Sequence, residues 1–95
     1  MKISTTAQAG ALESNDVLVT VMPNDQGGVQ IQLETKRVIF KQFGKQIEEV
    51  VRGKVSEMDV DDVIIKVQDK GALNYTIRAR VQTALERALA SGTRD

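Results

Sequence analysis

Ser14 is the residue whose setting most invites chemistry. It stands in Gly10-Ala11-Leu12-Glu13-Ser14-Asn15-Asp16, between small residues and the first apolar run. A hydroxyl can attack as a nucleophile or receive a phosphodiester, a link stable at neutral pH. Attack needs a base, and the chain has no histidine, the usual base at that pH. A Ser-His dyad is therefore excluded. No cysteine is present either, which removes disulfides, thiolate chemistry and cysteine-based zinc sites. Catalysis by this chain alone would fall to carboxylates, lysines or the single tyrosine. Two readings of Ser14 stay open on these grounds: a loop serine whose hydroxyl makes a local turn, or an attachment point that small neighbours leave open to a modifying enzyme. Glu13 and Asp16 would repel a phosphate there, but weakly in solvent.

Two other groupings could do chemistry. Asp59, Asp61 and Asp62 are spaced carboxylates of the kind hard cations choose, yet they lack the glycine and distal glutamate of a calcium loop. They read as a solvated connector, and no metal ligand is assigned. Arg78 and Arg80, with Lys66 near them, would make a small basic patch able to hold phosphates of RNA or of a nucleotide-bearing arm. Reading RNA on a sheet face wants exposed aromatics for stacking. Phe40 and Phe43 fall instead on a predicted core stripe, and Tyr75 is shared with the core face.

The elements that must position these groups follow from hydrophobic period. With 95 residues, one domain spanning 1–95 is expected. Thirteen basic residues balance thirteen acidic ones, so no net field holds nucleic acid or an anionic membrane. The first residues lack the apolar core of a secretory signal, and no run is long enough to span a bilayer. A soluble, cytoplasmic protein is expected. Residues 1–10, small and polar from Ser4, read as a flexible arm.

Val17, Val19 and Val21 alternate as a first strand, and Val29, Ile31 and Leu33 as a second, across the turn formers of 23–28. Thr35 is placed to cap a long amphipathic helix reaching about Met58, with Ile39, Phe43, Ile47 and Val50 as its stripe. Gly44 would allow close approach of that helix to the sheet, and Gly53 would mark an early fray. Val63, Ile65 and Val67 give a third strand, Asp69-Lys70-Gly71 a tight turn, and Leu73, Tyr75 and Ile77 a fourth strand. Val81, Ala84, Leu85, Ala88 and Leu89 form a second helix that Ser91-Gly92 ends. The fold predicted is α+β: a two-layer sandwich, β-β-α-β-β-α, with a four-stranded antiparallel sheet in the order 1-2-4-3 and both helices on one face.

Three blocks, Ala7-Gln8-Ala9-Gly10-Ala11-Leu12-Glu13-Ser14-Asn15-Asp16, Lys41-Gln42-Phe43-Gly44, and Asp69-Lys70-Gly71-Ala72-Leu73 through Arg78-Ala79-Arg80, closely resemble the citrate lyase acyl carrier protein family, the gamma chains of that complex. The likeness runs to about Ala88. Asn74-Tyr75 departs from the Asp-Cys that members often carry there, and Thr35-Lys36-Arg37 is more basic than expected.

The resemblance implies that Ser14 carries 2'-(5''-phosphoribosyl)-3'-dephospho-coenzyme A through a phosphodiester. It implies that the arm's thiol bears acetyl and citryl thioesters while citrate is cleaved to acetate and oxaloacetate. The partners implied are the alpha (transferase) and beta (lyase) subunits, a prosthetic-group transferase and an acetyl ligase. The chain itself would be a non-catalytic carrier. The alternative from the residues alone is a small RNA- or protein-binding module using the sheet face and Arg78 and Arg80.

Overall fold

The computed structural model describes residues 1–92, with side chains followed to Ala90. The elements are β1 (Ala7–Gly10), β2 (Val17–Pro23), β3 (Val29–Glu34), α1 (Arg37–Glu57), β4 (Val63–Asp69) and α2 (Asn74–Gly92). The sheet order is β1-β2-β4-β3. β2 and β4 lie at the centre because their alternating β-branched residues supply the inner face: Val17, Val19, Val21, Val63, Ile65 and Val67 are all fully buried. Each such side chain contributes roughly 1.5–3 kcal/mol by leaving water. Both helices pack over this face, with Ile47, Val51 and Val55 from α1 and Ile77, Val81, Ala84, Leu85 and Ala88 from α2.

The α+β class, a sheet of four strands and the two-layer arrangement are as expected, although one of the four strands is not the one predicted. Other parts of the expectation are corrected. The stretch 73–77 is not a strand, because α2 begins at Asn74. Its apparent alternation is broken by exposure, since Leu73 and Tyr75 are exposed and only Ile77 is buried. Ile77 belongs instead to the helical stripe that continues through Val81, Ala84, Leu85 and Ala88.

The missing strand comes from residues 7–10, expected to be part of a flexible arm. They pair antiparallel with β2 from Ala7↔Val21 to Gly10↔Leu18, and Ala9 is buried. Small side chains gave no strand signal, because the main chain makes the attachment. The sheet is accordingly mixed, not all antiparallel. β2 runs antiparallel to both of its neighbours, β1 and β4, while β3 and β4 pair in parallel through the α1 crossover.

α1 also departs from its predicted stripe. Its second half is buried, but Val38, Phe40 and Phe43 near its start remain 67%, 54% and 44% exposed. Gly44 packs over Leu33, where an added methyl would meet only ordinary contacts, the nearest at 3.6 Å, and the helix runs through Gly53 without fraying. Thr35 is not the cap. Lys36 holds that position without a side-chain bond, and the Thr35 hydroxyl donates to Asp69 Oδ2 at 3.2 Å. The helix closes at the other end with Asp59 at φ 55, where the Val60 and Asp59 amides donate to Val55 O and Ser56 O.

Candidate functional site

Ser14 lies on the loop joining β1 to β2, which is braced rather than loose. Gly10 admits the reversal: its φ is 98°, and a Cβ there would sit 1.8 Å from the Val17 carbonyl oxygen. The Ala11 amide donates to that same oxygen at 3.2 Å. A tight turn then carries Ser14 and Asn15, closed by the Asp16 amide donating to Glu13 O at 3.0 Å, with Asn15 left-handed at φ 66. The 69–71 turn buttresses it. Asn15 N–H donates to Lys70 O at 2.8 Å, and Lys70 N–H donates to Asp16 O at 2.9 Å.

Asp16 is the pin of this loop. Its Oδ1 accepts the Val17 amide at 2.7 Å, and both carboxylate oxygens accept from Arg80 of α2, from Nε at 3.2 Å and from Nη2 at 3.0 Å. The Val17 amide and the Arg80 guanidinium together hold the Asp16 carboxyl below its ordinary value. Asp69, buried beneath, fixes the neighbouring turn. Its Oδ1 accepts the Gly71 and Ala72 amides at 3.2 and 2.9 Å.

Against this bonding Ser14 stands out. It is exposed, and among the described residues its hydroxyl makes no hydrogen bond. The turn is held by main chain, Asp16 and Asp69, so the local-turn role that a loop serine ordinarily fills is already taken. Beside it opens a groove of about 690 Å³, walled by Leu12, Thr35, Lys36, Ile39 and Lys70. The groove continues past Ile39 and Gly71 into a more apolar hollow of about 420 Å³ lined by Phe43, Ile47, Ala72 and Leu73.

The other predicted groupings are not brought together as expected. Arg78 and Arg80 sit two apart on a helix, not on a strand, and they diverge. Arg80 turns to Asp16, Arg78 to a shallow hollow with Glu49 and Glu57, and Lys66 pairs with Glu34 at 3.3 Å. The open face of the sheet carries the row Gln8, Thr20, Lys66 and Gln32, while the aromatic residues lie on the helices. A basic, aromatic RNA-reading face is therefore not formed. The acidic connector is engaged by the start of the chain: Lys2 pairs with Asp62 at 2.9 Å and the amino group of Met1 with Asp61 at 3.0 Å. No helix among the described residues is long and apolar enough to cross a membrane.

The Asp16–Arg80 contact, the buried Asp69 and the exposed start of α1 were missed by sequence reasoning. Reading 74–80 as helix would have placed Arg80 one turn from Ile77, toward the sheet. The other two carried no signal.

Comparison with known proteins agrees on one family. A family model described as malonate decarboxylase delta subunit (MdcD), of acyl carrier type, matches residues 4–88. A citrate lyase acyl carrier protein of Halothermothrix orenii is 46% identical over 93% of this chain and 90% of its own. One of Fusobacterium nucleatum is 44% identical over 96% and 95%. Among solved structures, a chain of a Pseudomonas malonate decarboxylase hetero-tetramer shares the fold with a TM-score of 0.65, at 17% identity, over 87% of this chain and 82% of that one. The chain thus belongs to the citrate lyase acyl carrier protein family, as a carrier subunit of an enzyme complex and not its catalyst.

Proposed function

We propose that Ser14 Oγ is the covalent attachment point of a phosphoribosyl dephospho-coenzyme A arm, and that the chain carries this arm within a cytoplasmic citrate lyase. The observation that supports this most is the unengaged, exposed Ser14 hydroxyl on a turn that the backbone of Glu13, Asn15 and Asp16 and the Asp16 carboxylate tie down. The site fits such a group. The hydroxyl can become the bridging oxygen of a phosphodiester without breaking a contact, and the Asp16 charge beside it is already matched by Arg80. Once bound, the arm supplies the thiol that this chain lacks, for acetyl and citryl thioesters.

What the chain's own residues do is hold the attachment point. Gly10, Asn15, Asp16 and Arg80 fix the turn, so that the body presents Ser14 in one orientation to successive partners. Tethering then raises the concentration of the bound intermediate at each station. The stations proposed are the transferase and lyase subunits, with a prosthetic-group transferase and an acetyl ligase acting on the carrier.

Ser14→Ala in the assembled complex tests the reading. It should abolish citrate cleavage while changing stability by less than about 0.5 kcal/mol, since no contact is lost. Full activity in that variant would refute the attachment.

A further inference from the structure

The groove beside Ser14 has a composition that the fold alone does not require. The chain has only two phenylalanines and one tyrosine, and all three are exposed. Phe43, with Leu12 and Leu73, stands at the Ser14 end, where these residues are 44%, 53% and 59% exposed. Apolar groups gathered on one rim mark a surface that something covers.

The mouth of the same groove is positive. Lys36 and Lys70 are exposed, and among the described residues neither ammonium has an ion pair. Of the two acids on the wall, Glu34 is paired with Lys66 at 3.3 Å, and Asp69 is buried and takes its hydrogen bonds from the Gly71 and Ala72 amides and the Thr35 hydroxyl, so the two lysines outnumber the one carboxylate without a cation beside it. α1 begins here with no acidic residue in its first turn, which leaves the positive end of its dipole unneutralised beside the lysines. A cationic mouth leading to an apolar hollow, with a modifiable hydroxyl on the rim, complements a ligand that carries phosphate at one end and an uncharged chain at the other.

We propose that this groove is a resting site for the arm on Ser14, with Lys36 and Lys70 holding its phosphate charge and Ile39, Phe43 and Leu73 covering its uncharged part. The proposal rests on the attachment reading above and adds a second, non-covalent contact to it. Weak contacts suffice, because a tethered group stands at an effective concentration in the millimolar range. Between stations the thioester end is then held against the apolar hollow, away from water.

The test compares backbone amide shifts of the unmodified protein with those of protein from cells that load the arm, the adduct on Ser14 being verified by mass. The expected result is shifts at Lys36, Ile39, Phe43 and Leu73 as well as in the turn 13–16. In the loaded double variant Lys36→Gln/Lys70→Gln, the distant shifts should fall severalfold while those of the turn persist. With the adduct verified, shifts confined to 11–16 would overturn the resting site and leave the exposed rim to a partner subunit. A missing adduct would instead contradict the attachment. The groove is then read directly by titrating dephospho-coenzyme A into the unmodified chain. Saturable millimolar shifts at the four groove residues would support it, and none up to about 20 mM would overturn it.

Discussion

At one end of β2 the chain turns through residues 11–16, with Asn15 left-handed at φ 66; at the other it turns through 24–28, with Gly27 and Gly28 at φ 83 and 87. Both turns are tied by an aspartate distant in sequence or by that aspartate's distant partner. Asp16 accepts from Arg80, and Asp62 accepts the Gly28 amide at 2.7 Å and pairs with Lys2. Their surroundings then diverge. The far turn is made of Asn24, Asp25, Gln26 and glycines, with the Asn24 side chain bonded to both glycine carbonyls. The near turn shows solvent a free hydroxyl beside Leu12, Ile39 and Leu73. Bracing is thus a general device of this sandwich, and what sets the Ser14 end apart is the unbonded group it presents and the wall next to it.

The largest difference between the two turns is expected for Gly10→Ala. The methyl would fall on the Val17 carbonyl oxygen in a backbone conformation that alanine avoids, so a loss of about 3 kcal/mol or more is expected in urea unfolding. Gly28 at the far turn has open space, and its alanine variant should suffer only the smaller cost of positive φ. Equal losses at the two ends would contradict the account.

α1 carries the same contrast along its length. Val51→Ala removes a fully buried side chain and should cost about 2 kcal/mol. Phe40→Ala, at the exposed start, should cost less than about 0.5 kcal/mol in the isolated protein despite the larger truncation.

These contrasts also show how far the sequence could be read. β2, β3 and β4 were legible because β-branched residues alternate over a wet or buried face, and α1 because its stripe is long. The start of α2 was misread because Leu73, Tyr75 and Ile77 alternate by accident, and period alone cannot tell three apolar residues in a strand from a helix entrance. β1 was illegible because Ala7–Gly10 pairs through its backbone. Ser14 was found from its neighbours and the family blocks. Its pin was not, since Asp16 and Arg80 are 64 positions apart and meet only once α2 is docked.

Acid should separate that pin from the rest. The Val17 amide and Arg80 hold the Asp16 carboxyl below its ordinary value of 3.8, so the stabilisation is complete above that pH and is lost as pH falls through the depressed value. Arg80→Met should therefore lower the unfolding midpoint at pH 7, by less than Gly10→Ala does, and the gap to the parent protein should close in strong acid. A gap unchanged by pH would contradict the role given to Asp16. The smallest effect expected is a gain: Gly53→Ala, at an exposed helical site with open space, should stabilise by roughly 0.5–1 kcal/mol.

Whether Ser14 bears the arm is decided by the intact mass of the protein from cells with active citrate lyase, followed by fragmentation. One coenzyme-sized, phosphate-containing adduct is expected on the peptide holding Ser14. An unmodified chain, or an adduct placed on any other residue, would contradict it.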